Sequence, residues 1–188
     1  MTEEDTLIER LRKKDETAFK DLFELHIDHV YRLAYGILQN EDDAEETAQQ
    51  TFIAAYRAID RFEPKAKLST WLYRITYNNA LNILHQRKQN DPLPDDESER
   101  FIPSSLIDWR FEPEQLLLEE ETHLQLEKAI STLPPAMRAA FILRDVEQIP
   151  IHECADIQNI SETLCKTRTH RARLLLRERL SEYFSERK

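Results

Sequence analysis

Apolar residues recur along this chain at the three- and four-residue spacing of helices. Asp15 stands as a cap before a run in which Phe19, Leu22, Phe23, Val30, Leu33, Ala34, Ile37 and Leu38 are predicted to face inward. A second helix is predicted from about Asp42 to Phe62, carrying Ala44, Ala48, Phe52, Ala55 and Ile59 and ended by Pro64. Ser69 or Thr70 is the expected cap of a third, with Trp71, Leu72, Ile75, Asn79, Leu81 and Leu84 following. Residues 114–131 carry Leu116, Leu117, Leu124, Leu126 and Ile130; Pro134–Pro135 break that helix and open another through Ala139, Phe141, Ile142 and Leu143. No segment sustains the alternation of a strand. Each helix is amphipathic and too weak to stand alone, so the pattern predicts an all-α chain packed as bundles.

The last part of the pattern, residues 151–173, is the most specific. Ile151, Ala155 and Ile157 form a short apolar face. Asn159 then suits the left-handed residue after a helix, and Ser161 suits the N-cap of the next. In that helix Cys165, Thr169, Ala172 and Leu176 recur at seam spacing. Lys166, Arg168, Arg171, Arg173, Arg177 and Arg179 are left for the outside. A short helix, a tight turn and a cationic helix make a helix-turn-helix, whose second helix enters the DNA major groove.

Composition divides the chain. Pro92, Pro94, Pro103 and Pro113 fall in an acidic stretch without helical periodicity, predicted as a flexible acidic linker over 90–113. Two small helical domains follow, 1–89 and 114–188. The net charge of −10 argues against DNA binding only until its placement is seen. Residues 91–127 hold twelve acids and two bases, and the rest of the chain carries 24 of each. Local field, not overall charge, governs attraction to phosphate.

Other chemistries lack their residues. The chain has one glycine, too few for a Gly-rich phosphate loop. No nucleophile with a base, paired carboxylates or metal spacing stands out, so neither enzyme activity nor a cofactor or metal is expected. No apolar run approaches the roughly 20 residues that span a membrane, and the acidic N-terminus is unlike a secretory signal, so a cytoplasmic location is expected. Cys154 and Cys165 fall on the two helices of the motif. They suit buried small apolar groups. A redox pair is the alternative, and a zinc site with His152 and His170 fits no compact knuckle.

Three blocks together carry a resemblance: DDAEETAQQTFIAAYRAIDRF (42–62), LSTWLYRITYNNALNILHQRK (68–88) and the segment 133–180 that contains the helix-turn-helix. The chain resembles the extracytoplasmic-function (ECF) sigma factors of the sigma-70 superfamily, from about Phe19 to Leu180. The resemblance implies an N-terminal domain that binds core RNA polymerase and reads the −10 promoter element. It implies a C-terminal domain that reads the −35 element, and an anti-sigma factor as regulator.

Carried onto this sequence, the polymerase contacts are Asp43, Glu46, Gln49 and Gln50, docking on the clamp helices of the largest subunit. Gln50 stands where the family usually has a second acid. The −10 contacts are Lys65, Lys67, Ser69, Trp71, Arg74, Asn78, Asn79 and Asn82, although a Trp at the spacing of Trp71 is more often a core residue. The −35 contacts are Ser161, Glu162, Thr163, Lys166, Thr167 and His170 toward the groove, and Arg168, Arg171 and Arg173 toward phosphates. Thr169 replaces the usual Leu, its hydroxyl expected to bond back to the Cys165 carbonyl, and Asn159 replaces the usual Gly. A sigma-like decoy that titrates a regulator is one alternative. A helix-turn-helix repressor is another, though it leaves the acidic helix and block 68–88 without a role.

Overall fold

The computed structural model describes residues 3–64, 66–90 and 120–185, and these are helical without strands. The order is α1 (Glu3–Arg12), α2 (Glu16–Leu38), α3 (Glu41–Ala58) with a 3₁₀ turn at Ile59–Arg61, and α4 (Leu68–Asn90). After the gap come α5 (Glu120–Ser131), α6 (Pro135–Phe141) running into a π turn at Ile142–Val146, α7 (Ile151–Gln158) and α8 (Glu162–Ser185). The linker from 91 onward, Leu116, Leu117 and Lys65 lie outside the described residues.

The caps follow local chemistry. The Asp15 carboxylate accepts the Thr17 and Ala18 amides at the start of α2. Hydrogen bonds from Thr17 and Arg10 hold that carboxyl well below its usual range. Asn40 caps α3 by accepting the Asp43 amide at 2.9 Å. The expected cap of α4 is corrected. The helix begins at Leu68, so Ser69 and Thr70 lie in its first turn. The Leu68 amide is satisfied instead by Glu4 Oε1 of α1 at 2.7 Å. Helix α1 itself was not anticipated, because only Ile8 and Leu11 give it a buried face.

Phe23, expected inside, is 42% exposed. Its ring meets Phe52 at 4.9 Å on the outer edge of the α2–α3 contact, leaving one side of the pair open to solvent. The helix-turn-helix forms as the pattern predicts. Asn159 takes the left-handed conformation (φ 53°, ψ 47°), and Ser161 Oγ accepts the Leu164 amide at 3.2 Å. Cys165, Thr169, Ala172 and Leu176 are all buried. The Thr169 hydroxyl donates to the Cys165 carbonyl at 3.0 Å.

Two apolar clusters hold the molecule. One joins α1, α2, α3 and the start of α4 through Leu11, Leu22, Val30, Ile59 and Leu72. The larger one is built around Phe141, Leu143, Ile157 and Leu176, and it also takes Leu33, Ile37, Tyr73 and Tyr77 from the N-terminal part. The two parts therefore share a core. Arg138 is sealed into it at 6% exposure, donating to the carbonyls of Ser131 and Ile37 at the ends of α5 and α2. Burial pushes its guanidinium down to about 10, and the partial negative charge of two helix C-termini favours the cation there.

Candidate polymerase and nucleic-acid interfaces

Helix α3 presents Glu46, Gln49 and Gln50 to solvent on one face, at i, i+3 and i+4. One turn on, Ile53 is 41% exposed and Tyr56 46%. With Phe23 they extend the polar face into an apolar strip, braced by the Phe19–Tyr56 ring contact at 4.5 Å. Sequence spacing missed this strip because it put Phe23 in the core by its period and gave Ile53 and Tyr56 no role. Asp43 behaves differently from its neighbours. It is half-buried and paired with Arg87 of α4, so its charge is directed inward.

The expected −10 residues gather along α4. Trp71, Arg74, Asn78 and Asn82 share a face at i, i+3, i+7 and i+11. Asn78 and Asn82 are exposed; Asn79 is half-buried, with an amide nitrogen that has no hydrogen-bond partner. Ser69 is half-buried. Trp71 serves both readings of the sequence. It packs on the N-terminal cluster, with its ring 5.0 Å from Phe62, and it also lines a cleft of about 510 Å³. That cleft runs between the 61–74 segment and α7, where His152, Glu153 and Asp156 form the far wall. Lys67 Nζ lies 3.9 Å from Glu153 Oε1, and Arg74 donates to the Asp156 carbonyl at 2.8 Å.

On α8 the outcome splits. Ser161, Glu162, Thr163 and Lys166 are exposed, while Thr167 and His170 are half-buried. Glu162 and Lys166 pair at 3.4 Å, and the Thr167 hydroxyl donates to the Thr163 carbonyl at 2.9 Å. The three arginines expected outside are corrected. Arg171 is buried, 8% exposed, with Nε unpartnered. Arg173 is held by both oxygens of Asp145, 3.1 Å from Nε and 2.5 Å from a terminal nitrogen. Arg168 is half-buried and bonded to Tyr77 of α4, where it opposes the upward push that burial gives the phenol. Helix α8 packs against α5, α6 and α7 together, so more of its circumference is covered than a single seam requires.

Cys154 and Cys165 are free thiols with no exposed surface. A hydrogen bond to Cys165, together with burial, pushes the Cys154 thiol up. The same hydrogen bond pulls the Cys165 thiol down, but both side chains are sealed from solvent, so they act as packing atoms. Among the described residues no group of three or more His, Cys, Asp or Glu could hold a metal ion. In native protein, neither thiol is expected to react with a chromogenic disulfide reagent over minutes, whereas both react at once in denaturant. Rapid native labelling would restore the redox reading.

Comparison with known proteins agrees with this layout. The sigma-70 region 2 family matches residues 22–90, and the sigma-70 region 4 family matches 123–176. The ECF RNA polymerase sigma factor SigW of Bacillus subtilis (strain 168) is 32% identical over 178 residues, covering 93% of this chain and 95% of the relative. The ECF RNA polymerase sigma-E factor of Escherichia coli (strain K12) is 32% identical over 170 residues, covering 89% of this chain and 88% of that one. Among solved structures, the sigma factor RpoE in complex with the anti-sigma factor NepR, from Bartonella quintana, superposes with a TM-score of 0.67 at 25% identity. It covers 87% of this chain and 96% of that one. CnrH, solved with the cytosolic domain of CnrY, shares the fold at a TM-score of 0.67 and 20% identity, covering 95% and 97%. Two region matches in the expected order, and relatives aligned over nearly their whole length, place this chain among the ECF RNA polymerase sigma factors.

Proposed function

We propose that this sigma factor divides its work between its two parts. Residues 1–89 dock on core polymerase and read the −10 element, and residues 114–188 read the −35 element, with 90–113 as the tether. Docking uses Glu46, Gln49 and Gln50 of α3 on the clamp helices of the largest subunit. The apolar strip of Ile53, Tyr56 and Phe23 supplies the buried anchor that a polar face alone lacks.

The −10 reading rests on one observation above others: Trp71, Arg74, Asn78 and Asn82 lie on a single face of α4, and its first turns, at Trp71 and Arg74, line the cleft beside Phe62. An unstacked base needs an aromatic wall and polar edge-readers side by side, and this face has both. Lys65 and Lys67 attract the backbone, and Ser69 and Asn79 add half-buried polar groups on the same helix. For the −35 element, Glu162, Thr163, Lys166, Thr167 and His170 read base edges. Arg168 and Arg173 contribute phosphate contacts once released from Tyr77 and Asp145, while Arg171 stays packed inside. The protein supplies binding energy and leaves the chemistry to the polymerase. It acts in the cytoplasm, where the polymerase works, and no described helix is long and apolar enough to cross a membrane. An anti-sigma factor is the proposed regulator, since RpoE was solved with one.

The test is run-off transcription with the cognate core polymerase on promoters selected from a random library. Transcripts are expected only when this chain is added. Failure to recruit core to any selected promoter would bring the decoy reading forward.

A further inference from the structure

Helix α1 grips both ends of the segment that joins α3 to α4. Arg12, its last residue, donates from a terminal nitrogen to the Phe62 carbonyl at 2.6 Å, where that segment begins. Glu4, in its first turn, accepts the Leu68 amide on Oε1 at 2.7 Å, where the segment ends and α4 starts. The two grips are separated by about 12 Å of helix at the usual rise of 1.5 Å per residue. Ile8 and Leu11, the buried residues of α1, pack in the same cluster as Phe62 and Leu68. The polar grips are therefore closed over an apolar contact.

The segment itself is exposed at Glu63, Pro64, Ala66 and Lys67, so its course is set by where its ends are held. Helix α4 brings no acid to its own first turn. Glu4 supplies from another helix the acceptor and the negative charge that a helix N-terminus favours. Lys14 fastens the same stretch to the end of α3. Its Nζ donates to the Tyr56 carbonyl at 2.7 Å, lies 3.5 Å from Asp60 Oδ2 and sits 4.7 Å from the centre of the Tyr56 ring. Arg10 ties α1 back to α2 through Asp15 at 2.8 Å and Thr17 at 2.6 Å. Neither Glu4 nor Arg12 lines the cleft. They reach it through Phe62, Trp71 and Arg74, which do.

We propose that α1 is a strut for −10 reading, in which Arg12 and Glu4 are positioning residues that fix the two ends of the 62–68 segment and make no base contact themselves. This rests on the assignment of α4 to the −10 element. Phe62 carries one grip on its backbone and part of the aromatic wall on its side chain, so a loose carbonyl is a loose wall. Glu4 likewise holds Leu68, three residues before Trp71. Together the grips set where the Phe62–Trp71 wall stands against the edge-readers of α4. Releasing either end lets the wall shift, and a wrong base is then accepted nearly as well as the right one.

The test uses the full chain with core polymerase, on a promoter selected from a random library and on its single-base variants. The reading is the ratio of run-off transcript on the selected promoter to that on each variant. Glu4→Ala and Arg12→Ala are expected to lower this ratio at one or more −10 positions by at least about fivefold, the loss of one good base contact. They are expected to leave it unchanged at −35 positions. A loss of folded protein scales every template alike and does not move the ratio. Glu4→Gln keeps an acceptor for the Leu68 amide and is expected to restore it. A ratio equal to wild type in either folded alanine variant, or a glutamine variant as poor as alanine, overturns the strut. Should one alanine variant lose helix content by circular dichroism, the other decides. After a negative result, Asn78→Ala on α4 itself separates the premises. If it lowers the −10 ratio, the reading by α4 stands without the strut; if it does not, that reading falls too.

Discussion

Glu46→Arg is expected to abolish initiation by this sigma factor while leaving its helix content unchanged. Glu46 is exposed on α3, so the substitution disturbs no packing. Its effect falls on docking. The polar face of Glu46, Gln49 and Gln50 has already lost one acid to Gln50, and Asp43 is committed to Arg87. Glu46, with exposed Asp42 one turn before it, therefore supplies the negative charge this face offers the clamp. Truncating one partner of a desolvated interfacial charge pair costs about 2–5 kcal/mol, and reversal adds repulsion. At about 1.4 kcal/mol per tenfold, affinity for core should fall by at least roughly 30-fold. Competition against a second sigma factor in run-off transcription reads this directly. A companion variant, Glu46→Gln, keeps the hydrogen bond and should lose far less. Equal activity of the arginine variant would move docking away from α3 altogether.

Apart from α1, the helices and their order were legible in the sequence because capping and seam residues act over four or five positions. Asp15, Asn159, Ser161 and the Cys165–Leu176 seam each did what local chemistry dictates. What the sequence could not show is which helix a given face meets. Phe23 reads as core by period but ends outside, because α3 covers only part of the stripe. Arg171 and Arg173 read as exterior by charge. One is buried and the other is bound by Asp145, 28 residues earlier in the chain. Arg138 drew no attention at all, since nothing local marks a cation that will sit on two helix ends. The acidic linker likewise suggested two separate bundles. The shared core depends on Ile37, Tyr73 and Tyr77, and a face that packs on its own bundle and one that packs on another carry the same apolar signature.

That shared core leads to a second large effect. Leu176→Ala is expected to destabilise the free protein by about 3 kcal/mol, within the range for a buried leucine whose cavity cannot collapse. Leu176 is fully buried on α8, in the cluster that also contains Leu33, Ile37 and Tyr77. For a chain of 150–250 residues this shifts Tm by about 6–12 °C. The form of the transition matters as much as its midpoint. If the parts fold as one unit, calorimetry shows a single endotherm that moves as a whole, and exchange protection of residues 33–38 falls along with that of α8. If each part folds alone, only the fraction of the enthalpy belonging to the C-terminal bundle moves, and protection in α2 is untouched. Repeating the measurement with Glu147→Ala separates the causes. The buried Glu147 carboxylate joins the two parts by accepting from Arg32 and the Tyr73 hydroxyl, so its loss should uncouple them, and the Leu176 cavity is then felt by α5–α8 alone.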